Sequence, residues 1–169
     1  WGVVCTGACS IHPTSDDSPL PFARLWDKAD IQSHALMTEA VHRHGSLAGI
    51  ELWHGGASVF NRASRLAPLS PSGTPWMATH LGFMSNLRPK VMDRGDIRDL
   101  LRWQAEGAKR ARSAGFDIVY VYAGMGYLPY EFLLPEYNLR TDEYGGSVAN
   151  RVRLVQQMIE VTKDAVGET

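Results

Sequence analysis

A chain of 169 residues, 44% hydrophobic and 21% charged, is ordinary globular material with enough apolar side chains for one core. Its formal net charge of −1 leaves no electrostatic reason to bind nucleic acid or an anionic membrane surface. No run approaches the roughly 20 consecutive apolar residues that span a bilayer. The chain opens on Trp1-Gly2-Val3-Val4 with no charged leader, and these residues already read as a strand in progress, so the expectation is a section of a longer cytoplasmic protein.

In chain order, Gly2 to Cys5 forms the first short apolar strand, and Thr6 to Asp17 leaves it as a loop containing His12-Pro13. Cys5 and Cys9 are the only cysteines, and they read as small buried residues, because two thiols without nearby partners supply too few ligands for a metal. A helix starts near Asp30, carries Ile31, Ala35, Leu36, Met37, Ala40 and Val41 as its apolar stripe, and stops at Gly45. Leu47 to Trp53 is a second strand. His54 to Met92 is a long loop rich in Pro, Ser and Gly, of the kind that is functional or disordered in compact domains. Asp93 or Asp96 caps the next helix, whose apolar face of Ile97, Leu100, Leu101, Ala105 and Ala108 is interrupted by Gln104, and Gly115 ends it. Asp117 to Tyr122 is an apolar, β-branched run of the type covered on both faces. A last helix runs from Ser147 to Ala165, with Val148, Val152, Val155, Ile159 and Thr162 near helical spacing.

The alternation is βαβαβα, which implies an α/β fold with a parallel sheet and right-handed crossovers. Two architectures compete: a doubly wound sheet, and a section of a TIM (β/α)8 barrel. Thr6-Gly7-Ala8-Cys9-Ser10, in the first βα turn, does not match the dinucleotide fingerprint, and there is no phosphate-binding G-x-x-x-x-G-K-[ST] run. The long loops follow strands and the short ones follow helices, so the working face lies at the strand ends, and the barrel is favoured.

The stretch Phe116 to Arg151 joins a strand, a loaded loop and a helix start. Gly126-Tyr127-Leu128, Glu131-Phe132-Leu133, the run Asn138-Leu139-Arg140-Thr141-Asp142-Glu143-Tyr144-Gly145-Gly146-Ser147, and Asn150-Arg151 strongly resemble the Old Yellow Enzyme family of FMN-dependent oxidoreductases. Gly49-Ile50-Glu51-Leu52-Trp53-His54-Gly55-Gly56-Ala57 and Cys9-Ser10-Ile11-His12-Pro13 look closest to its amine-oxidising branch, that of the trimethylamine, dimethylamine and histamine dehydrogenases and the N-methylproline or dimethylglycine demethylases. The likeness runs through nearly all of the chain. It implies a partial FMN-binding TIM barrel domain over residues 1–169, about the second to fourth βα units. Some members of the branch also carry a 4Fe-4S cluster after the barrel, outside this segment.

What the resemblance implies for the site follows position by position. Ala8 falls where the family places a small residue beside the flavin. Glu51 falls where relatives contact the pyrimidine edge of the ring, and a carboxylate accepting an N–H there makes a strong hydrogen bond. Inside an apolar strand an unpaired Glu51 is costly, so a partner is expected. Tyr122 and Met125 fall where ene-reductases hold two imidazoles, or His and Asn, on the substrate carbonyl; methionine cannot donate a hydrogen bond. Amine dehydrogenases keep Tyr at the first position and usually His at the second, so Met125 departs from both patterns. Tyr127 matches a tyrosine above the flavin, which makes Tyr122 and Tyr127 the catalytic candidates. Trp53, Tyr122 and Met125 are the substrate-binding candidates. Branch members that take methylated amines use an aromatic bowl for cation–π attraction; one of its walls falls at Ala8, which enlarges the pocket.

The resulting expectation is an enzyme that oxidises a bulkier N-methylated amine or amino acid by hydride transfer to FMN, releasing an imine that water hydrolyses to an aldehyde. The alternatives are an NAD(P)H-dependent ene-reductase of the 2,4-dienoyl-CoA reductase kind, with Tyr127 as proton donor, and a non-catalytic barrel module. The expected partner is a small-molecule substrate, with no nucleic acid and no membrane; the full-length protein is open to homo-oligomers. No metal ligands are expected, since His12 and His80 sit in loops without Cys or carboxylate at ligand spacing, and His54 reads as a hydrogen-bonded structural residue. His34, His42 and His44 suit the end of a helix. Arg140, Asp142 and Asn150 stitch the long loop to the last helix.

Overall fold

A computed structural model describes residues 1–16, 23–75 and 88–167; His80 lies outside the described residues. In chain order the elements are β1 (Val3–Ser10), β2 (Ala23–Arg24), α1 (Asp30–His42), β3 (Leu47–Trp53), β4 (Leu69–Ser70), β5 (Lys90–Val91), α2 (Arg94–Ser113), β6 (Ile118–Val121), α3 (Leu128–Leu133), α4 (Val148–Arg151) and α5 (Arg153–Val166). The main sheet runs β2-β1-β3-β6, all parallel, with its long strands neighbouring one another in chain order. Cys9, Ala48, Ile50 and Leu52 on one sheet face are buried with Ile97, Leu100, Ala108 and Ala111 of α2 and Leu154 and Met158 of α5. Helices therefore cover a single face, and the order of the long strands β1, β3 and β6 does not reverse; the two-residue β2 pairs on the outer edge of β1. Both features belong to a section of a (β/α)8 barrel, whereas a doubly wound sheet is covered on both faces and reverses its order.

β1 continues five residues past its expected end at Cys5, and Cys9 lies within it. Its pairing with β3 shifts between Cys5↔Gly49 and Ala8↔Glu51, so three steps along β1 match two along β3. This is a bulge, and it turns Ala8 to the same face as Cys5. The N–H of Glu51, opposite the bulge, donates to Thr6 Oγ1 at 3.3 Å. Cys9 is buried as expected, but Cys5 is exposed on the uncovered face; both are free thiols.

In two helices the buried face is shifted from the expected one, although Ile31 and Val41 of α1 and Thr162 of α5 pack inward as expected. In α1, Leu36 is 64% exposed, and the buried residues are Asp30, His34 and Thr38. These polar groups find partners only in the folded chain: His34 Nε2 meets Arg24 O at 2.9 Å and the Thr38 hydroxyl donates to Ala114 O at 2.5 Å. His42 contacts Asp117 at 2.7 Å rather than serving only the helix dipole. In α5, Leu154, Met158 and Thr162 face the core, while Val148 and Ile159 are exposed. Gln104, the interruption in the α2 stripe, is fully buried and donates to Thr162 Oγ1 at 3.0 Å, so it joins α2 to α5. β6 is not covered on both faces: it is an edge of the described sheet, and Tyr120 is exposed.

The caps follow the sequence closely. Asp93 and Asp96 both act, as the two halves of a capping box at α2, and Ser147 caps α4 by accepting from Asn150 N. Arg140 reaches Asp142, Pro71 O and Met92 O, and Asn150 Nδ2 donates to Gly145 O at 3.0 Å, which stitches the 138–147 loop to the helix start. Among the described residues, no helix is long and apolar enough to cross a membrane.

Candidate functional site on the open face of the sheet

Register sorts the uncovered face into rows. Ala8, Glu51 and Tyr120 are successive partners across β1, β3 and β6 and form one row. Ser10 and Trp53 begin the next, toward the carboxyl ends of the strands, and Tyr122 continues it, its N–H bonded to Leu52 O at 3.3 Å. Side chains two apart on a strand share a face, so Glu51 and Trp53 project together, as do Tyr120 and Tyr122.

The loops after β3 and β6 complete this surface. Trp53 is 1% exposed, and the Tyr127 ring meets it edge-on with centroids 5.0 Å apart. The Tyr122 ring lies 5.7 Å from that of Tyr127. Burial, and then the charge of Glu51, raise the Tyr122 phenol above its ordinary pKa, so it stays protonated at neutral pH. The Glu51 carboxylate makes no hydrogen bond to any described residue; the partner expected for it is not among them. A half-buried acceptor without a donor, on an open face beside the small Ala8, is placed to receive an N–H from a bound molecule.

Met125 stands apart from this group. It is 57% exposed and has φ +53°, a left-handed conformation that side chains other than glycine and asparagine resist. Met125→Gly is expected to stabilise the protein by about 0.5–1 kcal/mol, read in urea unfolding. If Met125 also touches substrate, KM rises in the same variant.

His54 is buried within the fold behind the site. Gly56 N donates to its Nδ1 at 3.2 Å, which leaves the proton on Nε2 to bond Thr14 Oγ1 at 2.8 Å. Thr14 Oγ1 in turn lies 2.9 Å from His12 Nδ1, and the His12 ring stacks on Trp103 at 3.5 Å. Burial holds His54 down at about 3 and His12 at about 4, so both are neutral at ordinary pH. Among the described residues, no group of three or more His, Cys, Asp or Glu is placed to hold a metal ion.

Two residues of this region escaped the sequence reading. Tyr120 shares the row of Ala8 and Glu51, and its hydroxyl contacts Cys5 Sγ at 3.4 Å. Period-two alternation back from Tyr122 was the signal that could have found it. Glu131 appeared only as a letter in a motif, yet it is 1% exposed and its Oε1 accepts from Ala57 N at 2.8 Å. A charged residue type in a short helix carries no local sign of burial.

Residues 1–169 match the family described as NADH:flavin oxidoreductase / NADH oxidase. The chain is 40% identical to dimethylamine dehydrogenase of Hyphomicrobium sp. (strain x), covering 99% of this chain and 23% of that protein. It is 34% identical to the NADPH dehydrogenase of Bacillus licheniformis, covering 96% of this chain and 45% of that one. Among solved structures, the 6-hydroxypseudooxynicotine amine oxidase of Pseudomonas geniculata N1 superposes with a TM-score of 0.93 at 44% identity, over 100% of this chain and 25% of that chain. The chain thus spans between about a quarter and a half of the length of these relatives.

Proposed function

The chain belongs to the NADH:flavin oxidoreductase / NADH oxidase family of FMN enzymes, and on that premise we propose that it forms part of an enzyme oxidising an N-methylated amine or amino acid. The observation that carries this reading is the aromatic group Trp53, Tyr122 and Tyr127, with the non-donating Met125 where carbonyl-gripping relatives place an imidazole or amide. Aromatic faces attract a methylated ammonium, whereas an enone oxygen needs two donors. The higher identity to dimethylamine dehydrogenase than to the NADPH dehydrogenase supports the same choice.

The residues present fit FMN. Glu51 offers an acceptor with no other described donor, aimed from the face on which Ala8 leaves room for a flat ring. Bound FMN supplies the two-electron acceptor for a hydride leaving the carbon next to nitrogen. The chain's own residues do the rest. Tyr127, backed by the buried Trp53, walls the substrate and excludes water from the C–H bond being broken. The ammonium gives its proton to water before the hydride leaves, and the Tyr122 oxygen, kept as a phenol by burial and by Glu51, accepts a remaining N–H of the amine so that the nitrogen lone pair stays free to form the C=N bond. Water then adds to the imine, giving aldehyde and the demethylated amine. With Ala8 in place of an aromatic wall, the pocket suits substrates larger than trimethylamine.

The test is anaerobic, on the full-length FMN-loaded protein. Flavin absorbance is expected to bleach with an N-methylated amine or amino acid and to respond weakly to NADH or NADPH. Bleaching by the nicotinamides with recovery on an enone or enoyl thioester, and silence toward every amine, overturns the amine reading in favour of an ene-reductase. Glu51→Leu is expected to weaken FMN binding about 10-fold or more in a fluorescence titration, the value of one charge-assisted hydrogen bond, while Glu51→Gln keeps most of the affinity.

A further inference from the structure

We propose that Glu131 is a positioning residue, whose buried carboxyl ties the turn after β3 to helix α3 and so sets the Trp53–Tyr127 pair. Trp53 ends β3, and the 3₁₀ turn Gly56–Ser58 follows it three residues later. Tyr127 is the N-cap residue of α3, and Glu131 N donates to Tyr127 O at 2.9 Å. The two aromatic residues therefore sit on two loops, and their 5.0 Å centroid separation holds only while those loops are held together.

Three hydrogen bonds form the seam between them. Glu131 Oε1 accepts Ala57 N at 2.8 Å, Leu128 N donates to His54 O at 3.0 Å, and the Ser58 hydroxyl donates to Gly126 O at 3.1 Å. Among the described residues, Glu131 provides the one α3 side chain hydrogen-bonded to the turn. The fit is close: at Gly56, where φ is +61°, an added Cβ would stand 2.4 Å from Glu131 Oε1 and 2.9 Å from Leu128 Cα. No cation pairs with Glu131 among the described residues. Burial pushes its pKa well up, which favours the protonated acid, whose shape an amide can copy. A glutamine side chain presents the same acceptor oxygen at the same reach.

The inference rests on the reading of Tyr127, backed by Trp53, as substrate-facing, so its test pairs turnover with a measurement that needs no substrate. On the full-length holoenzyme, kcat and KM per bound flavin are measured with whichever donor reduces it. Alongside, the near-ultraviolet circular dichroism that Trp53→Phe removes is recorded. Glu131→Leu, which strands Ala57 N without an acceptor, is expected to lower kcat/KM at least 10-fold and to erase that dichroism; Glu131→Gln is expected to keep both within about 2-fold. A Glu131→Leu protein that melts earlier but keeps kcat/KM and the dichroism has lost only stability, and overturns the proposal. Glu131→Gln falling as far as Glu131→Leu overturns it too, because the acid then does something an acceptor cannot. Should Glu131→Leu fail to fold, Ser58→Ala cuts the neighbouring bond of the seam. A 3-fold or greater fall in kcat/KM with unchanged melting supports the proposal, and no change in either overturns it. If no amine reduces the flavin but the dichroism follows this pattern, the substrate reading fails and the positioning role stands.

Discussion

Trp53→Ala is expected to destabilise the protein by about 3–5 kcal/mol and to lower substrate-driven flavin reduction at least 100-fold. The indole is 1% exposed although it projects from the uncovered face of the sheet, because the loops after β3 and β6 close over it. Its removal leaves a cavity that surrounding strands cannot collapse to fill, since their backbones are tied by the parallel ladder. The edge-on contact with Tyr127 adds about 0.5–1.5 kcal/mol beyond burial. Without that wall Tyr127 gains rotamer freedom, and water reaches the reacting carbon. Urea unfolding and stopped-flow reduction of the full-length protein check both numbers. A loss under about 1 kcal/mol with normal reduction would show that the Trp53 ring is not packed against Tyr127.

The second large effect is on acid sensitivity. His54 has its pKa lowered to about 3, first by burial and then by the neighbouring His12, against 6.5 for the free group. Its unfolded form binds a proton that the folded form refuses. The stability this contributes is fully present above about pH 6.5 and is lost as pH falls toward 3, and by pH 4 the loss is about 3 kcal/mol. Glu131 runs the other way. Its raised pKa contributes stability that is present below its ordinary value of 4.5 and is lost as pH rises through its folded value. The two overlap, so the wild-type pH profile is a sum, and one variant isolates the histidine. His54→Gln can accept Gly56 N and donate to Thr14 without titrating. Between pH 7 and pH 4 the stability of this variant relative to wild type is expected to move by about 3 kcal/mol in its favour. Parallel pH profiles for the two proteins would place a charged histidine in the folded state and contradict the buried geometry.

Much of the chain was legible because its signals are local. Leu47 to Trp53 reads as a strand and is one, bounded by the same residues. The two aspartates at the start of α2 and Ser147 before α4 act as caps, because a cap needs only a side chain and amides within four residues. Gly45 and Gly115 end their helices at φ +71° and +87°, where other residues are strained. The choice of barrel over doubly wound sheet also came from local order, long loops after strands and short ones after helices.

The misread helix residues share one cause. Apolar spacing left His34 and Thr38 off the buried face of α1 and made Gln104 a polar interruption in α2, but all three are buried because partners distant in sequence satisfy them: Arg24 O, Ala114 O and Thr162 Oγ1. Hydrogen bonds across 10 to 76 positions leave no trace in a hydrophobic pattern.

By itself, then, the sequence determined the order of the long strands and helices but not the short β2, β4, β5 and α3, together with the caps of α2 and α4, the parallel α/β class and, through its loop motifs, the FMN family and the residues to watch. The tertiary structure alone decided how those residues meet. The bulge between Cys5 and Ala8 puts Ala8 in a row with Glu51, and period two along a strand cannot register one inserted residue. The crossing of two loops brings Trp53 within 5.0 Å of Tyr127. Burial biases Glu131 toward the protonated acid and makes it a tie between α3 and the turn, since protonation depends on the surroundings that folding supplies and not on the residue type alone.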